Sequence, residues 1–416
     1  MNLYSLAIVL RALLGWSLAP AITVAAVLVL AYILAGGLTG AIYNEVLQFF
    51  VIIMGLVPLT VVAIAAAGGP GEIMDRLTTY PEYFYQPWSG TSINGGGGDP
   101  SAANPIGDWA GIILGQAFVL SFGYWTTNFA EVQRAMSARD MNSARRAPII
   151  GAFPKVFIPF LVILPGIIAA LIIPNLGSTD DPSLNYTNAI PLLMGTLLPT
   201  GVLGIAVTGL VAAFMAGMAA NVSSFNAVTT YDIWQQYIVK DRADKYYLNF
   251  GRIITIFGVV AGIGTAFIAS RYNNINDYLQ TLFSFFQAPV FITFILGMFW
   301  KRTTAWGGFY GLVSGIFAAG SIWGFAILNP EFFRSAFQQA MWMGIVAGAV
   351  DLVVTVAVTM KTEPKPEHEL VGLVKGLELP GQAGPPASTW YRSPATLGIA
   401  AIALALSMYI PFFVWG

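Results

Sequence analysis

The chain has 416 residues, of which 56% are hydrophobic and only 9% are charged. A water-soluble domain carries about 25% charged residues, so this composition excludes ordinary soluble domains and indicates an all-α membrane protein with many spanning helices. The net charge of −1 gives no reason to expect a nucleic-acid partner, and the absence of cysteine excludes disulfides and thiol chemistry. A single histidine, His368, excludes a metal site built from several histidines.

The apolar runs are continuous and as long as helices, which excludes a porin-like barrel with its short alternating strands. A spanning helix needs about 20 mostly apolar residues. We predict ten such segments, at 18–37, 45–67, 108–132, 147–174, 200–230, 250–270, 278–300, 305–327, 338–360 and 395–415. The piece before them, residues 2–15, rises only about 21 Å as a helix, too little to cross a core of about 30 Å. It is either the end of a longer helix or a short interfacial helix.

Lysine and arginine orient the predicted spans, because cytoplasmic loops of membrane proteins are enriched in both. Basic clusters alternate with loops that contain one such residue or none, such as 68–107 and 175–199. The segments predicted to be cytoplasmic are 38–44, 134–146, 237–249, 301–304 and 361–393. This places the C-terminus outside, in a multi-pass protein of the inner (plasma) membrane.

Polar groups inside a bilayer are costly, so each one is a candidate functional residue. The densest set lies in 108–132, where the spacing i, i+3, i+4, i+7 places four side chains on one helical face. These are Ser121, Tyr124, Trp125 and Asn128. They either face a solute or form hydrogen bonds to neighbouring helices.

Two further positions suit a polyhydroxylated solute. Lys155 either extends to the cytoplasmic surface or donates to a polar solute inside the bundle. Segment 278–300 begins with Gln280, Ser284 and Gln287 on one face. Amides donate and accept at once, although the same groups also serve as polar contacts between helices.

Oxygen-bearing side chains at the end of segment 200–230, among them Asn221 and Ser224, either line an ion path or belong to a tightly packed helix. Glu45 is either a surface charge at a helix N-terminus or part of a cation's exit route. Asp351 lies inside the ninth span, and we predict a structural or interfacial role for it.

Several stretches are similar to the sodium/solute symporter family, most closely to its sugar-transporting branch. The similarity extends over about residues 4–360, and its most specific stretches are Gly36-Gly37 with 43–48, 122–140, 151–166, 230–234, 278–280 and 296–304.

The resemblance implies a LeuT-like core of two inverted five-helix repeats, which bind substrate near the midplane and expose it alternately to each side. It implies that most of core helices one to three are missing, so we expect an N-terminally truncated chain that does not transport by itself. The implied regions are a partial first repeat (1–67), an external loop (68–107), a second repeat (108–300) and peripheral helices (305–360), all within a membrane domain (1–360), then a cytoplasmic linker (361–394) and a C-terminal transmembrane helix (395–416).

The resemblance also implies roles for single residues. Tyr124 and Trp125 match the inner aromatic gate of the family, while Lys155 and Gln280 match positions that form hydrogen bonds to sugar. Ser121 stands where a sugar-contacting amide is usual, so that contact is not carried over.

The implied ion path departs from the family pattern. Glu45 matches an acidic residue on the cytoplasmic sodium route. The hydroxyl pair that ligates sodium in the family falls on Ala216 and Gly217, which have no side-chain oxygens, although backbone carbonyls such as that of Ala213 remain. Because hard cations need oxygen ligands, we expect weak, altered or absent dependence on Na⁺, the only cofactor considered.

The sequence therefore predicts a secondary-active transporter for a sugar or similar small polar solute, coupled to a cation and embedded in the lipid bilayer. Carriers of another solute (an amino acid, a carboxylate or a nucleoside-like molecule) and a sodium-independent facilitator remain alternatives. A channel would need charged rings or a filter repeat. A membrane enzyme would need clustered titratable groups or metal ligands, and only Lys155 and Asp351 qualify, on different segments. The oligomeric state stays open.

The charge pattern makes a prediction about topology. Single cysteines at Ser143 and Ser92, introduced into this cysteine-free chain, should react with an impermeant maleimide from opposite sides of the membrane, because 134–146 is basic and 68–107 is not. Labelling of both from the same side would contradict the predicted orientation.

Overall fold

The computed structural model describes residues 2–81, 107–178, 181–270, 275–377 and 393–408, and these ranges contain helices and no strand. They form two compact units. One consists of Met1–Thr79 and Pro154–Ile275, the other of Tyr80–Phe153 and Asn276–Gly416. The predicted all-α class is confirmed.

The α-helices are α1 (Asn2–Leu14), α2 (Leu18–Ala66), α3 (Pro70–Leu77), α4 (Gly123–Thr127), α5 (Phe129–Met136), α6 (Met141–Ile172), α7 (Ala189–Leu197), α8 (Thr200–Ala227), α9 (Asp244–Ala269), α10 (Ile275–Leu282), α11 (Ala288–Phe299), α12 (Ala305–Leu328), α13 (Ala336–Lys361), α14 (Glu367–Leu370) and α15 (Pro394–Ser407). Three π-helical segments adjoin them, Gly111–Phe122, Val228–Ile238 and Phe283–Gln287.

Eight helical stretches in the described ranges are long and apolar enough to cross a membrane. They correspond to eight of the ten predicted segments, and they are Leu18–Gly37, Thr39–Ala66, Met141–Ile172, Thr200–Ile238, Asp244–Ala269, Ile275–Phe299, Ala305–Leu328 and Ala336–Lys361. Of the predicted segment 395–415, the structure describes the helix α15 and no residue beyond 408. Most of the predicted loop 68–107, including Ser92, lies outside the described residues.

The predicted loop at 38–44 is wrong. The chain breaks its helix only at Gly37, whose φ of 54° and ψ of −154° interrupt α2. Glycine has no Cβ and adopts such a positive φ without strain, so helix resumes at Thr39. Glu45 is therefore half-buried within the second half of α2 rather than at its first turn.

The predicted continuous helix at 108–132 is also wrong. Its first part is the π-helix Gly111–Phe122, α4 follows it, and the helix stops at Asn128 before α5 begins. A π-helix forms i→i+5 bonds and has a wider turn than an α-helix. The four polar residues therefore do not share one face of a regular helix.

The N-terminal piece is helical, as predicted, and it lies in the core of the first unit. Leu3, Leu6 and Ala7 are buried in α1 against α2, α8 and α9. A helix in the membrane interface would leave half its surface uncovered, which does not fit this burial.

In the first unit, α2 and α8 approach each other through small residues. A methyl group at Gly55 would lie 2.9 Å from the Ala206 Cα, and one at Gly209 would lie 2.8 Å from the Val51 carbonyl oxygen. Only glycine allows backbones this close. The two contacts also fix an antiparallel register between the helices.

In the second unit, three glycines of α12 form a stripe against α13. Methyl groups at Gly307, Gly311 and Gly315 would lie 3.0, 3.1 and 2.9 Å from backbone carbonyl oxygens of α13. Those carbonyls belong to residues one helical turn apart, Thr355, Asp351 and Ala347.

Asp351 is fully buried at the centre of this contact. Its two carboxyl oxygens accept hydrogen bonds from the Thr355 hydroxyl on its own helix, at 2.6 Å, and from the Thr293 hydroxyl on α11, at 2.9 Å. Buried polar groups need such partners. The side chain therefore links α11 to α13, in agreement with the predicted structural role.

The predicted cytoplasmic linker folds back in its first part. Leu370 and Val374 are buried, the Lys375 backbone N–H donates to the Met298 carbonyl at 2.9 Å, and Lys301 forms an ion pair with Glu367 at 3.1 Å. Residues up to 377 therefore cover the end of α11, while 378–392 lie outside the described residues.

The glycine stripe predicts a stability difference. In Gly311→Ala the new methyl group would overlap the Thr355 hydroxyl and the Asp351 carboxylate, so we expect a loss of ~1–3 kcal/mol in thermal or denaturant unfolding in detergent. The matched control is Gly324→Ala on the same helix, which meets no atom within 4 Å and should be neutral or stabilising. Equal stability of both variants would contradict the close packing.

Candidate functional site

The aromatic pair predicted to form a gate lies on α4. The Tyr124 and Trp125 rings meet edge to face, with centroids 5.3 Å apart. Tyr124 also packs on Phe283, with 5.1 Å between the ring centroids, whereas Trp125 is 48% exposed. Because Phe283 directly follows α10, this contact brings Tyr124 within one helical turn of Gln280.

Asn128 interrupts the helix immediately after this turn. Its backbone is extended, at φ −67° and ψ 115°, and its side-chain oxygen accepts the Ala130 N–H at 2.8 Å. This is the geometry of a helix N-cap. The amide therefore helps to start α5, and its contact with a solute stays a prediction.

Ser121 belongs to the π-helix rather than to α4. The Gln116 side-chain nitrogen lies 3.4 Å from the Ser121 hydroxyl and donates to it. No described contact brings Ser121 to Gln280, so its place in the site also stays a prediction.

The polar face predicted for 278–300 is divided between different partners. The Ser284 hydroxyl is fully buried and lies 2.6 Å from the Ala340 carbonyl oxygen on α13 and 2.7 Å from the Gln280 carbonyl oxygen. The Gln287 amide donates to the Thr127 hydroxyl and to the Gly123 carbonyl oxygen of α4. Ser284 and Gln287 therefore bind helices together.

Gln280 differs from both of these neighbours. It is only 7% exposed, yet its side-chain amide forms no hydrogen bond within the part of the chain that the structure describes. The Tyr124 hydroxyl likewise has no hydrogen-bond partner among the described residues. Both groups flank Phe283, which packs on the Tyr124 ring and lies one helical turn after Gln280. An amide and a phenol without partners are groups that a polar solute could use.

Lys155 lies in the first unit, on the part of α6 that begins at Pro154, whereas Tyr124 and Gln280 belong to the second unit. Its side chain is exposed on the helix. The predicted convergence of Lys155 with Tyr124 and Gln280 therefore stays a prediction.

The candidate ion path lies on α8. The Asn221 amide is exposed and donates to the Gly217 carbonyl oxygen at 2.9 Å, while the buried Ser224 hydroxyl donates to the Ala220 carbonyl at 2.9 Å. The Asn2 amide group of α1 occupies the space beside Gly217 that a side chain would need. The carbonyl at Gly217 is thus already engaged by Asn221.

On α2, Glu45 and Gln48 face the same level of α8. Continuing the register that Gly55 and Gly209 set places Glu45 near Ala216 and Gln48 near Ala213. Gln48 is only 6% exposed, and its Oε1 atom has no hydrogen-bond partner among the described residues.

The sequence assigns Gln48 no role in a site, and it offers Gln287 only as a member of the polar face of 278–300, without its partner Thr127. The spacing of Gln48 from Glu45, i and i+3, was a usable signal, because such residues lie on one helical face. Nothing in the spacing could pair Gln287 with Thr127, which are 160 residues apart. No three His, Cys, Asp or Glu side chains cluster in the described ranges, so carbonyl, amide and hydroxyl oxygens are the candidate cation ligands.

A model of the sodium:solute symporter family matches residues 1–315. Human sodium/myo-inositol cotransporter 2 is 30% identical over 307 residues, which are 68% of this chain and 44% of that protein. Sodium/glucose cotransporter 4 of Danio rerio is 27% identical over 399 residues, 89% of this chain and 60% of that protein. The chain thus spans about half the length of the curated relatives it matches.

Among solved structures, a Na⁺-coupled sialic acid symporter in a substrate-bound outward-open state has a similar fold. The TM-score is 0.68 at 18% identity, and the match covers 87% of this chain and 71% of that one. This similarity confirms the predicted LeuT-like fold class. The relatives are named as cotransporters and symporters, which are transport proteins and not enzymes.

Proposed function

The chain belongs to the sodium:solute symporter family, and on this premise we propose that it is the membrane part of a transporter that carries a small polar solute by alternating access. The solute is a sugar or a cyclic polyol, and transport is coupled to a cation. The site lies where Tyr124 and Gln280 meet, in a multi-pass protein of the plasma membrane with its C-terminus outside.

The observation that carries this proposal is the buried Gln280 amide, which has no hydrogen-bond partner among the described residues and lies one helical turn before Phe283, the residue on which the Tyr124 ring packs. Ser284 and Gln287 bind neighbouring helices, and the Thr281 hydroxyl donates to the Asp277 carbonyl oxygen of its own helix. The Gln280 amide is buried and has no partner among the described residues. An amide donates and accepts at once, as a ring of hydroxyl groups requires. The aromatic ring offers a flat apolar surface for the C–H face of such a solute.

The solute class follows from the same chemistry. The relatives are named for myo-inositol and glucose, which are rings that carry several hydroxyl groups. We propose that Trp125 and Asn128 border the site at the end of α4, and that Lys155 adds a cationic donor from α6. The cation leaves past Glu45.

A sodium-independent facilitator is the second candidate, and a specific observation favours it. Ala216 and Gly217 offer no side-chain oxygen, and the Gly217 carbonyl accepts a hydrogen bond from Asn221. A cation there would lose ligands that its dehydration requires.

Solute counterflow in liposomes tests the proposed function. The protein is reconstituted as the 416-residue chain and as the product of the whole reading frame that contains it. Saturable exchange of labelled myo-inositol or glucose by the longer form supports the proposal. Exchange by the 416-residue chain would contradict the expectation that it does not transport alone. Conduction without exchange, or chemical conversion of the solute, would contradict a transporter.

We predict that Gln280→Ala weakens solute binding by ~1–3 kcal/mol, because a buried hydrogen-bond partner is lost. The measurement is the concentration of competing solute that halves the exchange. The matched control is Gln339→Ala on α13, an amide whose described contact is the Met343 sulfur at 3.7 Å, and it should leave affinity unchanged. Equal effects of both variants would remove Gln280 from the site.

We predict a weak response to sodium. Replacing sodium by choline should change uptake by the longer form little, because Ala216 and Gly217 supply no side-chain ligands. Steep, saturable activation by sodium would contradict this and would point to other oxygens, such as those of Asn221 or Ser224.

A further inference from the structure

We propose that Gln287 is a positioning residue of the solute site, which fixes the Tyr124 side chain by holding the turn that carries it. This inference rests on the proposed function, because it concerns the same site. Gln287 itself does not contact the solute.

The contact is a network centred on the Gly123 carbonyl oxygen, which also accepts the Thr126 hydroxyl at 3.1 Å. The Gln287 side-chain nitrogen donates to the Thr127 hydroxyl and, at 3.3 Å, to the Gly123 carbonyl oxygen. The Thr127 hydroxyl in turn donates to the same Gly123 carbonyl at 2.8 Å.

Counting protons shows that no other group can replace the amide. Thr127 has one hydroxyl proton, and the Gly123 carbonyl takes it. Both remaining bonds need N–H donors, and the Gln287 amide has two. An apolar side chain of the same length would fill the space but would leave the Thr127 oxygen without its donor.

The helical turn Gly123–Thr127 needs the contact with Gln287 because its helix does not continue beyond Asn128. The helix stops at Asn128, directly after Thr127, and the Asn128 N–H donates to the Tyr124 carbonyl oxygen at 2.9 Å as the closing bond of α4. At its near side Gly123 packs against the Phe291 ring, which would lie 2.9 Å from an added methyl group. Tyr124 lies between these two fixed points.

The backbone around Gln287 has a local geometry that favours this contact as well. Gln287 is the last residue of the π-helical turn Phe283–Gln287. Such turns insert one extra residue into an α-helix and occur often at functional sites. The same turn carries Phe283, on which the Tyr124 ring packs. The π-helical turn Phe283–Gln287 therefore provides both the ring contact with Tyr124 and the hydrogen bonds from Gln287.

Four variants test the proposal by their effect on solute concentration dependence. Gln287→Met and Thr127→Val should each raise the half-saturating solute concentration about five- to tenfold, the equivalent of one net hydrogen bond, with the maximal rate nearly unchanged. Thr127→Ser keeps the hydroxyl and should behave as the unaltered protein. The control is Thr265→Val on α9, whose hydroxyl donates to the Gly262 carbonyl oxygen of its own helix at 3.0 Å.

The double variant Gln287→Met/Thr127→Val should raise the half-saturating concentration by less than the product of the two single effects, because both single variants remove the shared Gln287–Thr127 bond. A purely structural role would instead lower thermal stability and the maximal rate while half-saturation stays constant. That result would overturn the proposal.

Amide hydrogen exchange gives a second readout that needs no solute. Exchange in 123–128 should be faster in Gln287→Met than in Thr265→Val, both in detergent. Equal exchange in the two would overturn the proposal whether or not solute is carried. If the unaltered protein fails to exchange solute but the two variants still differ in hydrogen exchange, the result counts against the proposed function and not against the role of Gln287.

Discussion

The described structure depends on one constraint, which is that a bilayer offers no water to satisfy backbone polar groups. Helices satisfy them internally, so any break must be managed by side chains or by glycine. Gly37 manages the first break by adopting a positive φ. Asn128 manages the second by capping the helix that follows it. The break at Asn128 ends the short helix that carries the Tyr124 and Trp125 rings. The candidate site therefore lies where the backbone constraint of the bilayer is met by a side chain.

Close helix packing supplies the rest of the framework. Glycines let α2 approach α8 and α12 approach α13 to backbone contact, which increases the dispersion contacts that hold membrane helices together. At the second of these contacts the packing encloses Asp351. Two threonine hydroxyls then satisfy its carboxyl group, and through Thr293 they hold α11, the helix that continues from Gln280 and Gln287.

The positions of the spans could be predicted because length and hydropathy decide them locally. The break at Asn128 could not be predicted, because an asparagine inside an apolar run is equally compatible with a polar residue on a helical face and with a helix cap. The π-helical segments could not be predicted either, since assigning residues to one helical face assumes an α-helical period throughout the segment. The sequence predicts that Glu45 begins the second span, whereas helix resumes at Thr39, because Gly37 alone makes the break and no loop is needed.

The candidate site follows from counting which polar groups are already in use. In a membrane protein every buried polar side chain either binds helices together or remains for a ligand. Ser284, Gln287 and Asp351 are engaged by neighbouring helices. Around α4 and the segment 280–287, this leaves the Gln280 amide and the Tyr124 hydroxyl. The sequence offered Ser284, Gln287 and Gln280 as equivalent members of one stripe. The hydrogen bond between Gln287 and Thr127, which are 160 residues apart, distinguishes them. It shows that Gln287 holds helices together, whereas the Gln280 amide remains for a ligand.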